Sequence, residues 1–191
     1  MSLDALIEGN ENVLVKISSK VYRTIMFKAG CNHGNSLESF NALGGRLYTK
    51  GGKTYFYIDR MSRIEQEAGR NSVVVNQISL HEFRNAMEND GRKVLGYSHT
   101  HVDFIKPDEV LHEFSKAYKV LLKKKFSNLS EQEKSDAHNS LMLLPSKGDI
   151  EFLDKYSKGN KTPQVLVMMN EQGNMKAYLS KCHSFVSVFS G

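Results

Sequence analysis

At 191 residues, 40% of them hydrophobic, the chain has the length of one globular domain, expected over 1–191, and can bury a core without disulfide staples. Its formal charge of +5 tolerates a polyanion without indicating one: the basic run Lys123-Lys124-Lys125 sits among acidic residues, and no basic stripe interleaved with aromatics points to nucleic acid. The apolar runs are too short to span a bilayer and no leader pattern opens the chain, so no membrane partner is expected and a reducing cytoplasm is the default compartment for the two cysteines, Cys31 and Cys182.

Val13 to Ile17 reads as a first strand, and Ser18 or Ser19 can cap a helix carrying Val21, Ile25 and Met26 on one face. A polar loop is expected through Cys31, His33 and Gly34, followed by an apolar strand from Leu37 to Tyr48. Gly51-Gly52 then separates it from the β-rich Thr54 to Ile58, which predicts a hairpin. Ser72 to Val75 is a further short strand, and Ser79-Leu80-His81-Glu82 reads as a capping box opening a helix that ends near Gly91.

A strand comes next, Val94-Leu95-Gly96-Tyr97-Ser98-His99-Thr100-His101. From Pro107 to about Met142 the apolar spacing turns helical, with Val110, Leu111, Phe114, Tyr118, Leu121 and Leu122 recurring every three or four residues. After Pro145, Ser146-Lys147-Gly148-Asp149 starts a helix that closes at Gly159. Gln164 to Met169 and Asn174 to Leu179 form a hairpin around Gly173, and Phe185 to Phe189 is a last strand. Cys182 adjoins His183, but neighbours on a strand face opposite ways, which argues against a nucleophile–base pair. The alternation of strands and helices, with frequent hairpins, predicts an α/β domain of α+β type: a mixed, largely antiparallel sheet flanked by helices.

The chemistry concentrates at His99 and His101. Side chains two apart on a strand share a face roughly 6.5–7 Å apart, so two imidazoles there can converge on one metal ion. A catalytic zinc needs a third protein ligand and a carboxylate to handle protons. Nearby acids are Asp103, Asp108 and Glu109, with His112 also close; Asp103 shares the strand face if the strand continues. Farther on stands the Ser146-x-x-Asp149 helix start, and far upstream Glu38 heads an apolar strand, with Asn41 and Gly45 three and seven positions later. Alone, Ser146-x-x-Asp149 is an ordinary cap and Glu38 an ordinary solvated residue; their joint order with His-Thr-His is what carries weight.

That order, Glu38, then His99-Thr100-His101, then Ser146-x-x-Asp149, resembles the JAMM (MPN+, JAB domain) metalloprotease family. Asn41 stands where the family usually has Gly, Val102 where Pro commonly follows, and the two half-motifs are separated by a helical insertion over 103–144. The resemblance implies a cytidine-deaminase-like JAB/MPN architecture around Zn²⁺ held by His99, His101 and Asp149. It further implies that Glu38 is the general acid–base, that Ser146 stabilises the oxyanion, and that the substrate is a peptide or isopeptide amide, including that of a ubiquitin-like protein. Ligation by His112 in place of Asp149 is the variant the residues leave open. A non-catalytic MPN-type scaffold or protein-interaction domain is the alternative function.

Overall fold

Alternating exposure drives the first strand, β1 (Gly9–Ile17), where Val15 and Ile17 are buried and Lys16 is exposed. The computed structural model describes residues 9–34, 38–62, 66–68, 73–158, 163–180 and 184–191. Leu37, Ser72, Gly159, Cys182 and His183 lie outside the described residues, as do the side chains of Cys31 and His33. Helix α1 (Ser19–Gly34) follows at once; the Ser18 hydroxyl accepts from the Val21 N–H at 3.4 Å, the cap expected there. The loop expected through Cys31 to Gly34 is instead the end of this helix, because no proline stops it once Val21 and Ile25 anchor its start in the core.

Strands β2 (Ser39–Lys50) and β3 (Lys53–Met61) form the hairpin expected at Gly51-Gly52, whose φ values of 58° and 76° lie in the left-handed region that glycine enters at no steric cost. A small pair, β4 (Gln66–Ala68) and β5 (Val73–Val75), leads to helix α2 (Gln77–Asn89). Its cap is Asn76 rather than Ser79: the Asn76 side chain accepts from Ile78 and Ser79 N–H groups at 3.0 and 3.2 Å, doing for the helix start what serine would do later. Strand β6 (Lys93–Thr100) carries the histidine motif, with His101 one residue beyond it. The segment 103–144 is largely helical, with two short 3₁₀ turns and helices α3 (Ser115–Phe126) and α4 (Glu131–Leu141). Helix α5 (Lys147–Ser157) and strands β7 (Val165–Met169), β8 (Met175–Leu179) and β9 (Ser184–Ser190) complete the chain.

The expected mixed, largely antiparallel sheet flanked by helices, the cytidine-deaminase-like JAB/MPN architecture, is not what forms. Seven strands close into a barrel in the order β1-β3-β2-β6-β7-β8-β9. Closure comes from β1, which pairs in parallel with β3 on one side and with β9 on the other. The seam is locked at its end: Gly191 N–H donates to Ile17 O at 3.1 Å, while the Ser19 N–H and hydroxyl both donate to Gly191 O at 2.8 and 2.7 Å. Every one of the seven strands contributes to one apolar cluster with Val21 and Ile25 of α1, including Val15, Phe56, Leu95, Val167 and Val186. Wrapping the seven strands around that shared core pairs each of them on both sides, which is the stabilising consequence of closure.

A second cluster lies on the opposite face of β2, β6, β7 and β8, where Phe40, Tyr97 and Tyr178 meet the helices. Phe40 stacks on Tyr97 at 5.1 Å between ring centres, and Phe152 of α5 meets both edge-on at 4.8 and 5.1 Å. Gly96 is required where β6 meets β7, since a Cβ there would lie 1.8 Å from the Val165 carbonyl oxygen. These contacts fix the ends of β2 and β6 against α5, and that is where the polar residues gather. No helix among the described residues is long and apolar enough to cross a membrane.

Candidate active site

Register sets the first part of the site. In the antiparallel β2–β6 pair, Phe40 faces His99 and Ser39 faces Thr100, so the next step out brings Glu38 towards His101. The alternate side chains are tied on the far face: Ser39 Oγ lies 2.7 Å from Thr100 Oγ1, and Asn41 Nδ2 donates to Ser98 Oγ at 3.2 Å. Lys28 Nζ donates to Asn41 Oδ1 at 2.7 Å, which accounts for a polar residue at that buried position. With Ser98 and Thr100 engaged there, His99 and His101 point together, their rings 4.8 Å apart and nearly perpendicular.

The second part arrives from far along the chain. An isolated antiparallel bridge between Val110 and Ser146 ties the 3₁₀ region to the start of α5. Ser146 is the N-cap: its hydroxyl accepts from the Asp149 N–H at 3.2 Å, and its own N–H and hydroxyl donate to Asp149 Oδ2 at 2.7 and 2.8 Å. That capping box aims the Asp149 carboxylate at the histidines. Oδ2 lies 3.2 Å from His101 Nε2 and Oδ1 lies 3.6 Å from His99 Nε2, while Glu38 Oε2 also lies 3.6 Å from His99 Nε2. Donor atoms of Glu38, His99 and His101 all lie within 4.8 Å of one another. All five polar residues, Glu38, His99, His101, Ser146 and Asp149, line one pocket of about 430 Å³.

Burial sets the electrostatics. It pushes the Glu38 carboxyl up to about 7; the charge of His101 opposes this, and Asp149 and Glu109 reinforce it. It pushes His99 down to about 4 against the pull of Asp149, leaving a neutral imidazole with a lone pair to offer. Burial opposes charge on His101 as well, yet the Asp149 hydrogen bond and the Asp149, Glu38 and Glu109 charges carry its value upward. Asp149 is held well below the usual carboxylate range: burial resists, but both histidines and the Ser146 backbone outweigh it.

The other candidate ligands are placed differently. Asp103 is exposed at the pocket rim, where its carboxylate accepts from the Phe104 N–H at 2.9 Å. Asp108 and His112 are exposed and do not line the pocket; Glu109 sits on its rim. The sequence reading missed Phe104, Ile105, Phe152 and Leu166, which form the pocket's apolar wall. Only Phe104-Ile105, apolar in a polar stretch, offered a signal, and nothing local says which surface such a pair covers.

Neither a known protein family nor any curated protein matches this sequence. Among solved structures the chain is similar to protein DSY2949 from Desulfitobacterium hafniense, determined in solution. The likeness covers 93% of this chain and 92% of that one at a TM-score of 0.51 and 12% sequence identity. At that identity it speaks to the fold alone.

Two imidazoles and a carboxylate make a nitrogen–oxygen donor set that could hold a divalent metal ion, with a second carboxylate alongside. His99 is braced by a hydrogen bond with the Ser39 backbone, the support a metal-ligating imidazole takes from behind, whereas His101 Nδ1 is buried with no such partner among the described residues. The residues present therefore fit a bound divalent cation.

Proposed function

We propose that the protein is a zinc-dependent hydrolase of peptide or isopeptide amides, with a JAMM-type site built on a closed barrel. The observation that carries this reading is the convergence of Asp149, 48 residues beyond the second histidine, on His99 and His101 at 3.6 and 3.2 Å. A capping box alone has no reason to seek two buried imidazoles.

In this reading His99, His101 and Asp149 hold Zn²⁺, which when bound acidifies a water and polarises a carbonyl. Glu38 supplies the proton traffic. A carboxyl raised to about 7 exchanges its proton near neutrality, so it can accept one from water and return it to the leaving amine. The Ser146 hydroxyl rests on Asp149 Oδ2 at 2.8 Å, and turning about its Cβ–Oγ bond re-aims that proton at a substrate oxygen in the pocket. The Ser146 backbone N–H keeps Asp149 oriented meanwhile, at 2.7 Å. A cytoplasmic setting and a protein or peptide substrate, a ubiquitin-like protein among the options, belong to the same proposal.

Glu38→Gln is the test. Hydrolysis should fall by about 10²–10⁴-fold, the usual worth of a general acid–base, while zinc content by elemental analysis stays at the parent value. Unchanged hydrolysis would remove Glu38 from the reaction, and a zinc-loaded parent inert on both peptide and isopeptide amides would favour the scaffold reading. Loss of zinc in Glu38→Gln would make Glu38 a ligand, a role its distance from both histidines permits.

A further inference from the structure

The pocket has an apolar wall that the chemistry above leaves unused. Phe40 and Leu166 of the barrel and Phe152 of α5 supply one part of it, and Phe104 and Ile105 of segment 103–144 supply another. A space of about 430 Å³ exceeds what an amide group and a water need, and it falls in the range of pockets that enclose small ligands or side chains.

Segment 103–144 holds its half of the wall in place from behind. The Ile105 carbonyl accepts from the Tyr118 hydroxyl of α3 at 2.9 Å. The Phe104 ring has the Lys125 ammonium of α3 at 4.7 Å and the His138 ring of α4 edge-on at 5.9 Å. Lys147, next to the Ser146 cap, donates to the Asp108 carbonyl, so the segment is tied to α5 as well. Ile105 is buried and Phe104 half-buried, and both line the pocket.

Resting on the hydrolase reading, we propose that this wall is a side-chain subsite for a bulky apolar residue flanking the scissile amide, and that Phe104 and Ile105 set its size. The acids and histidines at one end fix the amide; the rings at the other desolvate the neighbouring side chain. A substrate with glycine at that position leaves the wall wet and gains nothing from it.

The experiment uses the full chain carrying Glu38→Gln, loaded with zinc, and two acetylated, amidated pentapeptides. They have Phe or Gly at the centre of four alanines, and binding is followed by calorimetry. The Phe peptide should bind about tenfold tighter or better, as burying one aromatic side chain predicts. Adding Phe104→Ala should shrink that preference below about threefold, and Phe104→Leu, which keeps an apolar wall and guards against a folding artefact, should largely retain it. Equal binding of the two peptides, absence of binding by either, or a preference indifferent to Phe104→Ala overturns the subsite. Hydrolysis of the same peptides by the parent is read separately. A Phe preference without hydrolysis supports the subsite and overturns the hydrolase reading; hydrolysis without preference does the reverse.

Discussion

Helices α4 and α5 begin with the same chemistry and end in different roles. At α4 the Ser130 hydroxyl accepts from the Glu133 N–H at 3.4 Å, and the Ser130 N–H and hydroxyl donate to the Glu133 carboxylate at 3.1 and 2.7 Å. At α5 the same three bonds join Ser146 and Asp149 at 3.2, 2.7 and 2.8 Å. Glu133 is exposed, and its carboxylate is hydrogen-bonded to its own helix start. Asp149 is set against the end of β6 and reaches two imidazoles. One bonding pattern is thus a structural cap in one place and the arm of a candidate metal site in the other. What distinguishes them is the strand that the barrel brings up to face the carboxylate.

The sharpest way to break that comparison is to remove the two acids separately. Asp149→Ala should weaken zinc binding by about 100-fold or more, beyond the usual cost of losing a mere supporting residue, and abolish amide hydrolysis. Glu133→Ala should do neither. Elemental analysis after dialysis against a weak chelator reads the first effect, and a peptide assay the second. Zinc retained by Asp149→Ala would reduce α5 to the status of α4 and send the search for a third ligand to Glu38.

How much of this could be read in the sequence depended on how local each feature is. The β2–β3 and β7–β8 hairpins and the Ser146 helix start are short-range, and each was visible as a glycine turn or a capping box. Pairing His99 with His101 follows from strand geometry alone. The barrel was not legible: β1 and β9 each read as a strand, but no local pattern says that the first and last strands lie side by side in parallel. The start of α2 was misplaced because Asn76 and Ser79 are both competent caps within three residues of each other. Asp149 and Glu38 are joined to the histidines through β-register and a bridge at Val110, and only the resemblance in motif order pointed to them. The apolar wall was invisible, since Phe104 and Phe152 come to one pocket from elements far apart in sequence.

The serines give a finer contrast. Ser146→Ala and Ser130→Ala should each destabilise the fold by about 1 kcal/mol as lost N-caps, a fall in melting temperature of about 2–4 °C in a chain of this size. Hydrolysis should separate them: Ser146→Ala should lose about 10²–10³-fold if its hydroxyl serves the oxyanion, and Ser130→Ala nothing. Equal activities with equal melting shifts would leave Ser146 as a cap and no more.

The smallest effect isolates what the α4 cap does by itself. The Ser130 hydroxyl and backbone N–H, both donating to the carboxylate, hold Glu133 below its ordinary value of 4.5. A carboxylate depressed in the folded state adds stability above its unfolded value and loses it as pH falls through the folded one. Glu133→Gln keeps an acceptor at the cap but removes the charge from the first turn, where the helix dipole favours it. The parent should therefore melt slightly above Glu133→Gln at neutral pH, and the gap should close as pH drops below about 4.5, where the parent carboxyl also becomes neutral. Melting curves from pH 7 to pH 3 read it directly. A gap that persisted in acid would mean that the geometry of the box, and not the ionised carboxylate, is what α4 uses, and the likeness between the two helix starts would then extend only to their hydrogen bonds.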